Sequence, residues 1–473
     1  VTVEAVQDAV QRLLEHHDLL RAKFTHSAEQ SGAEGWTQTV EAYEAPSSAI
    51  SIVSGAASSA EDLLTKLNEL VRSLDITAGR NGAVGLFDVS SWATASNGVR
   101  SGQVLFFTLH HLVVDFVSWR VLLEDLEGLL AGKETKIAAP RSMPFKKWVE
   151  AMQSHAAEID WASAWDDVVG LPSQEALLQV PAIFTAASEE PVVQGTISKD
   201  ELDAESTKVL FGSALEDIDA EPLDFMAAAV LLALSKRAQQ DKIVIGIETH
   251  GRHAWDDALD ISRTQGWFTS IFPIMAKVDG SKSGLRSLET VVDARRKTKL
   301  SGIEFGLLQR FAENAATSQL FDVPVVVNFH GRFQQFSNDA FFQPPTISKT
   351  TWDNTASSIG SAKRISIELS LSDTALAVTV LGPQNLTWTA SQDSLKSLAS
   401  DVTASLRSVI DAAEDAKHAF FPGSRLTLFD WLDDEGLNRL TSKVLPEVQL
   451  TTSAVKDVAP ASPLQRGLIA ETL

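Results

Sequence analysis

Two histidines and an aspartate stand together after an apolar run in the first third of the chain. Residues 104–130 read VLFFTLHHLVVDFVSWRVLLEDLEGLL, with His110, His111 and Asp115 between a short strand-like stretch and a helical pattern. An imidazole held at a turn beside a cleft can serve as a general base while its neighbours stay packed. On spacing alone, a His pair after a strand is more often a polar turn than a catalytic site, and His16–His17 in HHDLLRAKF forms a second such pair. What distinguishes His110–His111 is the context: Ser118-Trp119-Arg120 and an acidic amphipathic helix follow at once. A carboxylate candidate lies further on, where KIVIGI (residues 242–247) runs into Glu248-Thr249-His250-Gly251-Arg252. A Glu directly after a buried strand can partner an imidazole across a substrate, and burial raises its pKa towards a useful value. The bland alternative is a surface turn with an ordinary Glu248–Arg252 pair; local residue types leave both open.

The elements that must position these groups follow from periodicity. Residues 104–109 are apolar on both faces, as a central strand requires. Val117, Val121, Leu122, Leu126, Leu129 and Leu130 recur at helical spacing, with Glu124, Asp125 and Glu127 largely off that face. Residues 3–14 predict a surface helix, HHDLLRAKF a helix end passing into a strand, and residues 27–35 a hairpin loop. In HHDLLRAKF the histidines read as capping and packing a helix end. A helix over 60–74, a strand over 84–89 and a Trp-bearing helix over 145–156 come next. The segment 160–190 reads as a crossover, after which the pattern restarts. A strand lies near 192–197 and a helix begins near Asp200. Residues 223–237, LDFMAAAVLLALSKR, are apolar all round and must be buried. Strands follow at 242–247, 323–327, 365–370 and 375–381, the last two as an antiparallel pair, and a closing helix spans 395–413.

Composition narrows the classes. The 473 residues are too many for one compact core and suggest two domains. Hydrophobic residues at 44% and charged residues at 22% are those of a globular protein. The formal charge of −22 argues against a nucleic-acid surface, which needs a basic stripe. There is no cysteine, which excludes disulfides and thiolate chemistry and sits comfortably with a reducing compartment. No apolar run approaches the roughly 20 residues of a membrane span, so the expectation is a soluble, cytoplasmic protein with neither nucleic-acid nor membrane partners. His250, His253 and His330 show no close ligand spacing, so no metal site is expected. Without a phosphate loop or dinucleotide fingerprint, no bound cofactor is expected either.

The string HHLVVDFVSWRVLLEDL resembles the HHxxxDG core motif of the condensation and epimerization domains of nonribosomal peptide synthetases, with Phe116 in place of the Gly; its SWR continuation looks like the epimerization branch. HHDLLRAKF is similar to the superfamily's HHDALR motif. IETHGRHAWDDALDISRTQGWFTSIFPI resembles the EGHGRE segment of epimerization domains and the SRTVGWFTSIFP stretch after it, with Glu248, His250, Gly251 and Arg252 matching and His253 replacing the closing Glu. SGIEFGLLQRF is similar to GIGYGLLRY, with Phe305 in the Tyr place. VPVVVNFHGRF is similar to VFNYLGQF, keeping Asn328 and Gly331 with Phe329 at the Tyr position. A step needing that phenol is therefore impossible here, since Phe donates no hydrogen bond. SPLQRGL near the end resembles the opening motif of a condensation domain.

The resemblance implies an α/β fold of two chloramphenicol-acetyltransferase-like subdomains, a V-shaped pseudo-dimer with a central tunnel. It implies an N-terminal subdomain over residues 1–165 with a truncated start, a C-terminal one over 166–440, and a linker with the beginning of a following condensation domain over 441–473. The implied activity is epimerization at the α-carbon of an L-aminoacyl or peptidyl thioester. An upstream carrier domain supplies the substrate on its phosphopantetheine arm, and a condensation domain lies downstream. His111 and Glu248 are the implied acid–base pair, acting from opposite faces. His110, Asp115, Arg252 and Asn328 support them, with Asp115 pairing an Arg or capping the turn and Asn328 offered, with His111, to the developing oxyanion. Trp119, Trp267, Ser270 and Phe329 line the implied tunnel. A peptide-bond-forming condensation domain, a catalytically inactive docking domain of the same fold and an acyl-CoA acyltransferase are the competing readings.

Overall fold

The computed structural model describes residues 1–27, 35–90, 102–133, 137, 142–159, 182–186, 194–215, 220–277, 284–297, 302–311, 323–331, 341–342, 364–371, 375–415 and 439–450. The N-terminal lobe opens with helix α1 (Val3–His16), capped by the Thr2 hydroxyl on the Ala5 N–H, and a hairpin of β1 (Ala22–His26) and β2 (Trp36–Val40). Then come β3 (Ile50–Ala56), α2 (Ala60–Arg72), β4 (Gly82–Asp88), β5 (Gln103–Leu109), α3 (Phe116–Leu130) and α4 (Phe145–Glu158). β3 runs parallel to β4, and β5 antiparallel to it. Side chains alternate across this sheet. Val84 and Leu86 join Leu105 and Phe107 against the α1–α3 face, while Ala83 and Phe87 join Val104 and Phe106 against α2.

This arrangement corrects one expectation. Among the described residues β5 is at the edge of a three-stranded sheet, not its centre. It is apolar on both faces because helices cover both faces, not because strands flank both edges.

The C-terminal lobe comprises β6 (Phe184–Ala186), β7 (Gln194–Leu202), α5 (Ala204–Leu210), α6 (Pro222–Ala238), β8 (Lys242–Thr249), β9 (Ser270–Lys277), α7 (Gly284–Lys297), α8 (Ile303–Phe311), β10 (Val325–Phe329), β11 (Ile365–Leu371), β12 (Leu376–Pro383), β13 (Leu386–Trp388) and α9 (Leu398–Asp415). Six strands form one sheet in the order β7-β12-β11-β10-β8-β9, with β10 parallel to both β8 and β11. α6 is buried all round, as its sequence requires, with α7 and α9 beside it. β7 continues through Asp200 to Leu202, and Asp203 caps the helix that was expected near Asp200. As the outermost strand of the described sheet, β7 tolerates the polar run Lys199–Glu201. The last elements among the described residues are a short π-helical turn (Leu440–Val444) and one α-turn (Leu445–Glu447).

Alternation across this second sheet decides where the polar residues go. Ile243, Ile245, Ile247, Val325, Val327, Ile365, Ile367 and Leu369 all enter the core beneath the helices. The intervening positions, among them Glu248, Asn328 and Glu368, fall on the opposite face. Among the described residues, no helix is long and apolar enough to cross a membrane.

The two lobes are tied by the segment between β8 and β9. Arg263 reaches Asp125 on α3 at 2.6 Å and Glu124 at 2.5 Å, while the buried Asp125 also takes His17 at 3.0 Å. Thr264 donates to the Met143 carbonyl at 2.6 Å, and the Met143 N–H donates to the Asp260 carbonyl at 2.9 Å. His17 thus packs at a helix end, its partner supplied from far along the chain.

Candidate active site

β5 ends at Leu109, and a single 3-10 turn (His111–Val113) carries the chain into α3. His110 starts this turn: its Nδ1 accepts the Leu112 N–H at 3.2 Å, and its own N–H donates to the Asn81 carbonyl at 2.8 Å. Burial and the neighbouring His111 hold its pKa below the ordinary imidazole value. His110 is spent on the turn. His111 instead lines a cavity of about 1030 Å³ between the lobes, its ring 4.5 Å from that of Trp267.

Asp115 both caps and pairs. One oxygen accepts the Ser118 N–H at 2.7 Å, closing the first turn of α3, and takes Arg252 from the other lobe at 2.8 Å; the second accepts the Phe268 N–H at 3.2 Å. Arg252 adds the Ser118 hydroxyl at 2.9 Å and the Thr264 carbonyl at 3.1 Å, and lies over the Phe268 ring at 3.9 Å. Asp115 and Arg252 are 3% and 6% exposed, so the pair joins the lobes in a dry contact four residues from His111. Phe116 is the first helical residue of α3 and needs no left-handed backbone, which is how a bulky side chain stands where glycine was expected. Gly251, by contrast, has φ +62°, and a Cβ there would fall 1.7 Å from the Phe268 carbonyl oxygen. Only glycine lets this strand exit pass so close to the segment that follows Gly266.

Glu248 is the penultimate residue of β8 rather than the residue after it. It lines the same cavity as His111, and Asn328 donates to its Oε1 at 2.8 Å. Burial is the main cause that pushes Glu248 up to about 7, with the charge of Glu368 adding to it and His330 and Arg364 opposing. Asn328 thus orients Glu248 through one of the two hydrogens of its amide. The tunnel candidates divide. Trp119 lines the cavity and packs edge-on against Phe107 at 5.5 Å; Phe329 lines it and stacks beside Phe211 at 5.8 Å. Trp267 is 37% exposed and touches the His111 ring, but it is not among the residues lining the cavity. Ser270 is buried in β9 opposite Thr249 and is not among the residues lining the cavity.

Several cavity groups were not anticipated. His330 Nε2 lies 2.5 Å from Glu368 Oε2, and Ser366 donates to the other oxygen of Glu368. At the far wall, Arg295 bonds both oxygens of Asp224 at 2.9 Å and lies 3.4 Å from Glu221. His253 lines the cavity and stacks on His250 at 4.6 Å, burial holding both rings below the ordinary imidazole range. Glu368 had a signal in ISIELSL, where a lone carboxylate sits on the polar positions of an alternating strand. Among the described residues, no group of three or more His, Cys, Asp or Glu is placed to hold a metal ion.

A two-lobed mixed α/β molecule with acid–base groups facing one inter-lobe cavity defines the class. The Condensation domain family matches residues 1–366, and the chain belongs to that family. Among curated proteins it is 28% identical over 488 residues to nonribosomal peptide synthetase 5 of Gibberella zeae, covering 99% of this chain and 4% of the relative. Nonribosomal peptide synthetase ungA of Aspergillus violaceofuscus is 29% identical over 474 residues, covering 98% of this chain and 5% of the relative. The chain thus spans a small fraction of these large synthetases. Among solved structures, the epimerization domain from the third module of tyrocidine synthetase B matches with a TM-score of 0.69 at 20% identity, covering 88% of this chain and 90% of that one. The first condensation domain of the CDA synthetase matches at 0.57 and 15% identity, with 87% and 88% covered. These likenesses show the fold: two chloramphenicol-acetyltransferase-like lobes.

Proposed function

We propose that this domain epimerizes the α-carbon of an L-aminoacyl or peptidyl thioester delivered on the phosphopantetheine arm of a carrier domain. The observation that carries the reading is the pairing of His111 from one lobe with Glu248 from the other on a single cavity, Glu248 being a carboxyl pushed up to about 7. A group with that pKa exchanges protons readily near neutrality in either direction, which a reaction needing both removal and return of a proton demands. A thioester acidifies the neighbouring C–H because its carbonyl accepts the charge as an enolate. One of the two residues takes the α-proton, and the other returns a proton to the opposite face. Each positioned acid or base contributes on the order of 100- to 10,000-fold. The Asp115–Arg252 pair fixes the base of α3, so that His111 keeps its place against Trp267 while Asn328 holds Glu248.

The carrier arm and its acyl group are substrate here. A cavity of this size falls at the upper end of the roughly 300–1,000 Å³ of small-molecule sites, as an elongated substrate requires. The family match and the multidomain relatives support a neighbouring carrier domain. The SPLQRGL motif behind the proposed downstream condensation domain lies outside the described residues.

The test loads an L-aminoacyl or peptidyl thioester on the carrier domain in deuterated water, followed by hydrolysis, chiral chromatography and mass measurement. Deuterium uptake with a growing D-fraction, lost in His111→Ala and in Glu248→Gln, is the expected result. Peptide-bond formation with an added amine acceptor, and no exchange without it, would assign the domain to condensation instead.

A further inference from the structure

Three neighbouring strands carry a polar row on the face away from the helices. β8 and β10 are parallel with Ile247 beside Val327, and β10 and β11 with Asn328 beside Glu368. One step along, the register sets Glu248, Asn328 and Glu368 abreast, and the Asn328–Glu248 hydrogen bond closes half of the row. The other half is closed by His330. Two residues beyond Asn328 it keeps the same face, because its N–H still pairs with the Leu369 carbonyl at 2.9 Å and Gly331 accepts the Leu371 N–H at 3.2 Å. Its Nε2 is held by Glu368, whose other oxygen is occupied by Ser366. The ring lines the cavity beside Phe116, centroids 5.4 Å apart, and among the described residues it makes no second hydrogen bond. An imidazole tied to a carboxylate through one nitrogen has the other to offer, and the carboxylate favours its charged form.

Resting on the epimerization reading, we propose that His330, positioned by Glu368, is a third catalytic group of this cavity: it carries a proton and donates a hydrogen bond to the thioester oxygen as the α-proton leaves. The balance is simple. The Cα–H bond breaks, its proton passes to His111 or Glu248, and its electron pair forms the Cα=C bond as the carbonyl π pair moves onto oxygen. His330 keeps its own proton and shares it with that oxyanion. Return of a proton to Cα reverses these shifts, and His330 ends as it began. The groups facing His330 are Glu248 from β8, Glu368 from β11 and the uncharged Phe116 from α3; the charge of Arg364, just before β11, acts on Glu248. The hydrogen bond to Glu368 pushes the ring above the ordinary imidazole value, against burial, and Glu248 adds to the effect.

The experiment compares wild type, His330→Leu and Glu368→Gln in the α-proton exchange assay with a loaded carrier domain, beside an NMR titration of the His330 imidazole assigned by its loss in His330→Leu. Removing one oxyanion donor costs roughly 100- to 1,000-fold in rate; His330→Leu is expected to lose that much exchange. Glu368→Gln, which preserves shape, is expected to lose less exchange, and the alkaline fall-off of its exchange rate is expected to move to lower pH together with the imidazole titration, a coupling that a merely structural role would not produce. Exchange in His330→Leu within about threefold of an active wild type overturns the inference and leaves the epimerization reading standing. An imidazole already neutral at about pH 7 also overturns it. A wild type that never exchanges overturns the epimerization reading, and this role for His330 with it.

Discussion

Replacing Glu248 with Gln is expected to abolish exchange and, at alkaline pH, to stabilise the fold. The carboxyl climbs from an ordinary 4.5 to about 7 on folding, chiefly because burial penalises its charge. A raised acid holds more protons folded than unfolded, so stability is fully present below the unfolded pKa and falls as pH rises through the folded one. At about 1.36 kcal/mol per pH unit, the wild type loses about 1 kcal/mol by about pH 5 and about 3 kcal/mol by about pH 8.5 relative to a permanently neutral group. Glutamine is such a group, and its amide oxygen can still accept the Asn328 N–H that Glu248 takes at 2.8 Å.

The assay is urea unfolding of wild type and Glu248→Gln at both pH values. Taking the difference between the two proteins at each pH cancels titrations common to both. The variant should gain about 2 kcal/mol relative to wild type between the two conditions. A difference that does not vary with pH would mean that Glu248 is not a high-pKa carboxyl, and the acid–base argument built on it would fail. A dead but more stable variant is the expected signature of a group placed for chemistry at the expense of the fold.

Asp115→Ala leaves Arg252 buried without its carboxylate and uncaps α3, and should destabilise the protein by about 3–5 kcal/mol; a loss below about 1 kcal/mol in urea unfolding would mean that water enters the contact. Gly251→Ala drives a methyl into the Phe268 carbonyl and should lower both the calorimetric midpoint and exchange, whereas a variant with wild-type melting would disprove the close crossing. His111→Ala should retain the wild-type urea midpoint, since the side chain stands on the cavity wall, while losing exchange by at least about 100-fold; retained exchange would remove it from the chemistry.

Much of this was legible in the sequence because periodicity reports burial. The apolar α6 and the antiparallel β11–β12 pair lie where the pattern put them, as does the hairpin of β1 and β2, its tip lying outside the described residues. Position within a sheet was not legible. The apolar faces of β5 say that helices cover both sides and nothing of how many strands lie beyond it. The polar end of β7 looked like a helix start because lysine, aspartate and glutamate suit one; an outermost strand accepts them equally. Asp115 and Arg252 could each be expected to support the site, but their bond is a tertiary fact, formed across 137 positions.

His330 and Glu368, which sequence reading did not assign to the site, join the two residues it did assign, Glu248 and Asn328, for one physical reason. Glu248, Asn328, His330 and Glu368 come from three strands separated by long stretches of chain, and only the parallel register of β8, β10 and β11 makes them neighbours. Each strand contributes one or two polar residues to a face otherwise alternating with core, so nothing in the segments of His330 and Glu368 says that they meet each other beside Glu248 and Asn328. Side by side they behave as one unit: two carboxyl groups, an amide bonded to the first and an imidazole bonded to the second. Burial, and after it repulsion from the Glu368 carboxylate, pushes Glu248 up, while the imidazole and Arg364 oppose. Burial sets most of the raised pKa of Glu248, and strand registration adds the charges of Glu368 and His330 to it, so substitutions at Glu368 or His330 should retune it without touching Glu248 itself.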